Sequence, residues 1–188
     1  DELGLEKVHL VGTKLGGRIA LPFARDYPDR LHSMTLISTP MTLDAVPKDT
    51  KESQPKATDG QEAVERWARV SMKARVGDAD PEMMEWWIKM YGSQSARVIS
   101  EVLAMSGGVD VSGMLAGIRV PTLVIDSEAH KGRPLDEVRK WQALIPGSRL
   151  VAIPVSNAEG RQISASKPQA CAAALLEFLD ALPRDKRH

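Results

Sequence analysis

Lys14 stands inside a glycine-bracketed segment, Gly12-Thr13-Lys14-Leu15-Gly16-Gly17. Residues 7–12 before it read as a short buried strand, and residues 18–27 after it carry helical periodicity. A lysine presented at such a strand-to-helix turn has two chemistries open to it. The start of a helix disfavours an ammonium through the macrodipole, and burial in an apolar pocket acts in the same direction. An amine freed in this way forms imines with carbonyl compounds or takes up protons. Alternatively the ammonium is simply paired with a carboxylate, for which Asp126, Glu128 and Glu159 are the candidates. The glycines have a steric meaning, since strand and helix pass so closely at a turn of this kind that a Cβ would clash.

Other side chains with chemical potential are scattered. His130 lies in a polar loop and Gln162 in another; one could face Lys14, and the other could hydrogen-bond a ligand carbonyl. Trp67 falls at helical spacing with Val64, Ala68 and Met72, and Trp86 and Trp87 with Met83 and Met90, which suits a packed core or a pocket wall; with Thr13 the three tryptophans are the candidate ligand-lining residues. His9, His32, His130 and His188 show no metal-ligand spacing. The glycine-rich turn lacks the Gly-Lys-Ser/Thr ending of a phosphate-binding loop, so no cofactor is expected. His9, inside a strand, and Cys171, on an apolar helix, read as packing residues.

Four strands are expected, at 7–12, 33–38, 120–125 and 149–153, with helices at 18–27, 61–73, 81–91, 93–105, 135–144 and 168–182. A short amphipathic turn covers 111–118. Pro22 falls within the first helix, removes one backbone hydrogen bond and is expected to kink it. Strands with continuous apolar runs, alternating with helices, predict a parallel sheet covered on both faces. The three helices between the second and third strands predict an inserted cap. Residues 47–60, rich in Lys, Asp, Ser, Pro and Thr, predict a mobile connector leading into it. The expected division is therefore 1–46 as α/β core, 47–110 as connector and cap, and 111–188 as the C-terminal part of the core.

In this order and spacing the pieces resemble the α/β-hydrolase superfamily. Leu5-Glu6-Lys7-Val8-His9-Leu10-Val11-Gly12 matches the approach to its nucleophile elbow, whose middle residue is normally Ser. Ala24-Arg25-Asp26-Tyr27-Pro28-Asp29-Arg30-Leu31 matches the helix exit, and residues 115–125 match the return from the cap. The resemblance implies a triad acid in the loop after the third strand; aligned on Pro134, that position holds His130. It implies a histidine base before Pro168, where Gln162 is the first choice of occupant and Arg161 the next. It implies an oxyanion donor at the backbone N–H of Leu15, with a second donor from a loop that these residues do not include. All three triad positions thus differ from Ser, His and Asp, a combination the hydrolytic relay requires.

The resemblance implies a lineage of hydrolases for small apolar esters or carbonyl compounds. With Lys14, Gln162 and His130 at the triad positions, the expectation is a non-classical or inactive hydrolase that binds a small hydrophobic molecule or a protein partner. An enzyme using Lys14 as Schiff-base or general-base residue is the alternative. Only three residues precede Gly4, too few for the helix that glycine would close. The expected fold is therefore the C-terminal part of an α/β-hydrolase, incomplete at its N-terminal side, and a further alternative is a split protein active only with the missing strands or a second chain.

Composition agrees with an ordinary globule of 188 residues, 43% hydrophobic and 27% charged. Lys+Arg and Asp+Glu balance at 25 each, so no global field favours nucleic acid or an anionic membrane. No apolar run approaches the ~20 residues of a membrane helix, and no signal-peptide pattern is visible. A single cysteine, Cys171, excludes an intramolecular disulfide and suits a cytoplasmic setting.

Overall fold

The computed structural model describes residues 2–42, 54–77, 80–106, 109–128, 134–156 and 162–183. Four strands, β1 (Val8–Thr13), β2 (Leu31–Ile37), β3 (Thr122–Ser127) and β4 (Arg149–Ile153), form one sheet in the order β1-β2-β3-β4. All pairs are parallel, with Thr13 opposite Ile37 and Ile37 opposite Ile125. Helix α1 (Leu15–Asp26) links the first two strands; α2 (Gln61–Val76), α3 (Pro81–Gly92) and α4 (Ala96–Ser106) lie between the second and third. Helix α5 (Leu135–Gln142) precedes β4, and α6 (Ile163–Ser166) and α7 (Pro168–Asp180) follow it.

Alternation along the central strands assigns the two faces. Met34, Leu36 and Val124 pack with Leu21 and Ala24 of α1 and Val138 and Trp141 of α5. Ile37, Leu123 and Ile125 pack with Ile163, Cys171 and Phe178 on the other side. Because β2 and β3 are buried along nearly their whole length, their apolar runs are continuous. Truncating Leu36 or Leu123, both fully enclosed, would cost about 2–5 kcal/mol.

β1 departs from this pattern. Among the described residues it is one of the two edges of the sheet, its burial alternates, and Val11 is 45% exposed. His9 is accordingly not a packing residue: it sits exposed on this edge, bonded through Nδ1 to the Ser33 hydroxyl at 2.8 Å and tilted against His32. Partial desolvation, then the neighbouring His32, push its imidazole below the usual value.

Several boundaries move for local reasons. α1 starts at Leu15, three residues early, because the turn consumes only Lys14. It runs through Pro22 to Asp26 as a continuous helix. Ser93 belongs to the end of α3, its N–H donating to the Lys89 carbonyl and its hydroxyl to that of Met90, so α4 begins at Ala96. α3 starts cleanly because the Asp80 carboxylate accepts from the N–H groups of Glu82 and Met83 ahead of Pro81. Of the expected connector, residues 47–53 lie outside the described residues. In its remainder Pro55 is buried, and the Lys56 N–H donates to the Asp59 carboxylate.

Candidate functional site

The turn at Lys14 is one residue wide. Lys14 holds φ 51 and ψ −118, outside the basins that ordinary side chains occupy. Its N–H continues the sheet by donating to the Ile37 carbonyl at 3.0 Å, while its own carbonyl accepts from Gly17 at 3.1 Å and starts the helix. Two glycines make this possible. A Cβ on Gly12 would lie 2.6 Å from the Gly17 Cα, and one on Gly17 would run into the Thr39 side chain. Gly16, which completes the Gly-x-Lys-x-Gly spacing, faces open space, so the steric demand falls on Gly12 and Gly17. Lys14 is half-buried, and Leu15, the first residue of α1, has an amide N–H with no intrahelical acceptor.

Gln162 is buried immediately before α6, a short helix that the sequence pattern did not reveal. Its carbonyl accepts from Ala165 at 2.8 Å, and its N–H donates to the Arg75 carbonyl of α2 at 2.9 Å. Two residues on, the Ser164 hydroxyl lies 3.4 Å from that of Thr13, beside Lys14. Ala165 packs among Ala68, Met72, Val76 and Ile88 of the inserted helices. One four-residue helix therefore touches the elbow strand and the helices above it. His130, Arg161 and Glu159 lie outside the described residues. Of the acids considered for Lys14, Glu128 is exposed at the end of β3, whereas Asp126 is fully buried and accepts from the Ser127 N–H at 2.8 Å.

Other groups here were not singled out by the sequence. Ser38 and Thr39 follow β2, and Ser127 ends β3; their hydroxyls are buried without a hydrogen-bond partner among the described residues. Ser38 also carries a positive φ of 48. Their only trace in the sequence is a polar pair directly after an apolar run. Ligands of open parallel sheets bind outside the carboxyl ends of the strands, and these hydroxyls sit at that level.

The aromatic candidates separate. Trp67 is buried and Trp87 half-buried, both within ring contact of Tyr91, at 6.2 and 6.0 Å between centroids. Trp86 is 58% exposed and forms a T-shaped pair with Trp87, so most of it faces outward. The Arg75 guanidinium lies over both Trp67 and Tyr91. Cys171 is buried, as expected of a packing residue, and burial pushes its thiol up. Among the described residues no three His, Cys, Asp or Glu side chains are grouped to hold a metal ion, and no helix is long and apolar enough to cross a membrane.

The sequence matches the family model described as alpha/beta hydrolase fold over residues 1–68. The chain is 54% identical, over 37 residues, to a 2-hydroxy-6-oxo-6-phenylhexa-2,4-dienoate hydrolase of Comamonas testosteroni; that stretch is 20% of this chain and 13% of that protein. It is 26% identical over 166 residues to an enzyme of the same name from Burkholderia cepacia, covering 82% of this chain and 57% of the relative's length. Among solved structures, a thermophilic esterase from Thermogutta terrifontis with malate bound superposes at a TM-score of 0.74 and 27% identity. That match covers 96% of this chain and 68% of the esterase.

Proposed function

This chain belongs to the α/β-hydrolase fold superfamily, and from that premise we propose that it binds a small, largely apolar ester or carbonyl compound without Ser–His–Asp hydrolysis. The site is the carboxyl ends of β1, β2 and β3, under α2–α4 acting as a cap. One observation carries the reading: Lys14 occupies a strained strand-to-helix turn built on close glycine contacts, which we assign to the superfamily's nucleophile position. A serine nucleophile needs an imidazole to take its proton. Gln162 offers a carboxamide at the position we assign to that base, and a carboxamide does not titrate in the working range. The dienoate hydrolases and the malate-bound esterase support a carbonyl-rich ligand class.

Phenyl acetate serves as the probe. Ligand-observed NMR should report binding that Thr13→Trp weakens, with the ester persisting intact. No binding to the folded protein would contradict the proposal. The rival chemistry at Lys14 is checked by borohydride reduction with a small aldehyde present. Adducts at Lys14 should form no faster than at the exposed Lys56, Lys89 or Lys140; selective trapping there would favour a Schiff-base enzyme.

The open edge of β1 favours a second reading about assembly. Val11 on that strand, with Ile19 and Phe23 on α1, is exposed and apolar, although parallel sheets are ordinarily covered. A further strand beside β1, from the same polypeptide or another chain, would pair with this edge. Hydrogen exchange at the amides of residues 8–13 tests it, since pairing would slow exchange well below that of the isolated chain.

A further inference from the structure

The end of α2 carries a cation, Arg75, set against two aromatic rings. Arg75 reaches back along its helix so that its Cζ lies 5.8 Å from the centroid of Trp67 and 5.6 Å from that of Tyr91. Both are within the roughly 6 Å range of a cation–π contact. Most other arginines here have acceptors: Arg25, Arg69, Arg97, Arg139 and Arg149 pair with carboxylates, and Arg18, Arg30 and Arg119 donate to backbone carbonyls. Among the described residues the Arg75 guanidinium has no ion-pair partner. Beside it, the buried indole N–H of Trp67 has no acceptor either.

We propose that Arg75, held near the rings of Trp67 and Tyr91, recognises a carboxylate group of the ligand. The rings offer the guanidinium no hydrogen-bond acceptor of ordinary strength, so its N–H fork is left for a partner whose two oxygens match it, as a carboxylate's do. A carboxylate is acceptor-only and offers about four lone-pair sites, which suits a place with unmatched donors. A ketone or amide offers fewer and brings no charge.

The location joins this group to the elbow. The Arg75 carbonyl accepts from the Gln162 N–H, and Ser164, at most about 7 Å of chain further on, meets Thr13 next to Lys14. Arg75 and Lys14 thus flank α6. A ligand lying along that helix would set its carboxylate at Arg75, its apolar body toward the rings of Tyr91 and Trp87, and its carbonyl end toward the elbow. The inference rests on the proposed binding cleft and adds the charge its ligand carries.

Benzoate and its neutral isostere benzamide distinguish the two claims, titrated by ligand-observed NMR into the folded chain. The wild type should bind benzoate about tenfold or more tighter than benzamide, the scale of a charge-assisted contact. Arg75→Gln should abolish that preference by weakening benzoate alone, and Arg75→Lys should keep part of it. If Arg75→Gln loses both probes, Arg75→Lys decides: a retained preference supports the proposal and a lost one overturns it. A benzoate preference unchanged in Arg75→Gln, or absent from the wild type, overturns the role of Arg75 while leaving the cleft intact. Failure of both probes to bind the wild type overturns the cleft and this inference together.

Discussion

Lys14 and Ser38 end two paired strands side by side, and both hold positive φ, 51 and 48. The N–H of Lys14 donates to the Ile37 carbonyl, and the N–H of Ser38 donates to the Ile125 carbonyl at 2.9 Å. The sheet ladder thus runs into each strained residue and fixes it. Such backbone costs on the order of 1–3 kcal/mol per residue and persists only where the surroundings over-determine it. Here those surroundings are the ladder below and the close glycine contacts of α1 above.

That dependence makes the three glycines unequal. Gly17→Ala should destabilise by about 1–3 kcal/mol, since its methyl must displace the buried Thr39 side chain. Gly12→Ala meets backbone rather than side chain and should cost at least as much. Gly16→Ala, open in space and inside a helix, should be neutral or stabilising by up to about 1 kcal/mol. Urea midpoints of the three variants measure this; equal losses would mean that the turn is not built on these two contacts.

A pH dependence follows from the segment below α1. The Asp110 carboxylate accepts from the N–H of Ser112 at 2.8 Å and from its hydroxyl at 2.9 Å. These bonds, with a smaller contribution from Arg18, hold the carboxyl below the usual carboxylate range. A lowered folded-state value contributes stability above the unfolded value of about 3.9, and loses it as pH falls through the folded value. Asp110→Asn should therefore flatten the acid limb of the stability curve below about pH 5 and leave its neutral and alkaline parts parallel to wild type. An unchanged acid limb would count against this assignment.

Cys171 gives a probe of global opening. It is buried, its thiol is pushed up, and its Sγ lies 3.6 Å from the Ile163 carbonyl. Only the thiolate reacts readily with disulfide reagents. Labelling at neutral pH should be slow in the native protein and rise sharply through the denaturation midpoint. Rapid labelling of native protein would mean that α7 is not held against the sheet as described.

The sequence spelled out the parallel sheet because β2 and β3 are buried on both faces and therefore read as unbroken apolar runs. The elbow was legible for a related reason: glycines that avoid a clash must be glycines, whatever residue stands between them. What lay beyond the sequence was contact between distant segments. Nothing near Gln162 announces that its N–H meets Arg75, and the four residues of α6 are too few to show a period. The exposure of His9 likewise depends on β1 having, among the described residues, a neighbour on one side only. Trp67 and Trp86 share a type and a helical spacing, yet one is buried and the other outward, which only tertiary packing decides.

Aryl-ester turnover tests the central claim most directly, that the elbow's form persists while the hydrolytic relay does not. With p-nitrophenyl acetate, the wild-type chain should release nitrophenolate at the rate of a Lys14→Ala control. Lys14→Ser should stay equally slow, because a restored hydroxyl would still lack an imidazole to take its proton. Saturable turnover well above the control, lost in Lys14→Ala, would contradict the account. So would recovery of turnover by Lys14→Ser alone, which would mean that some group able to take a proton faces the elbow.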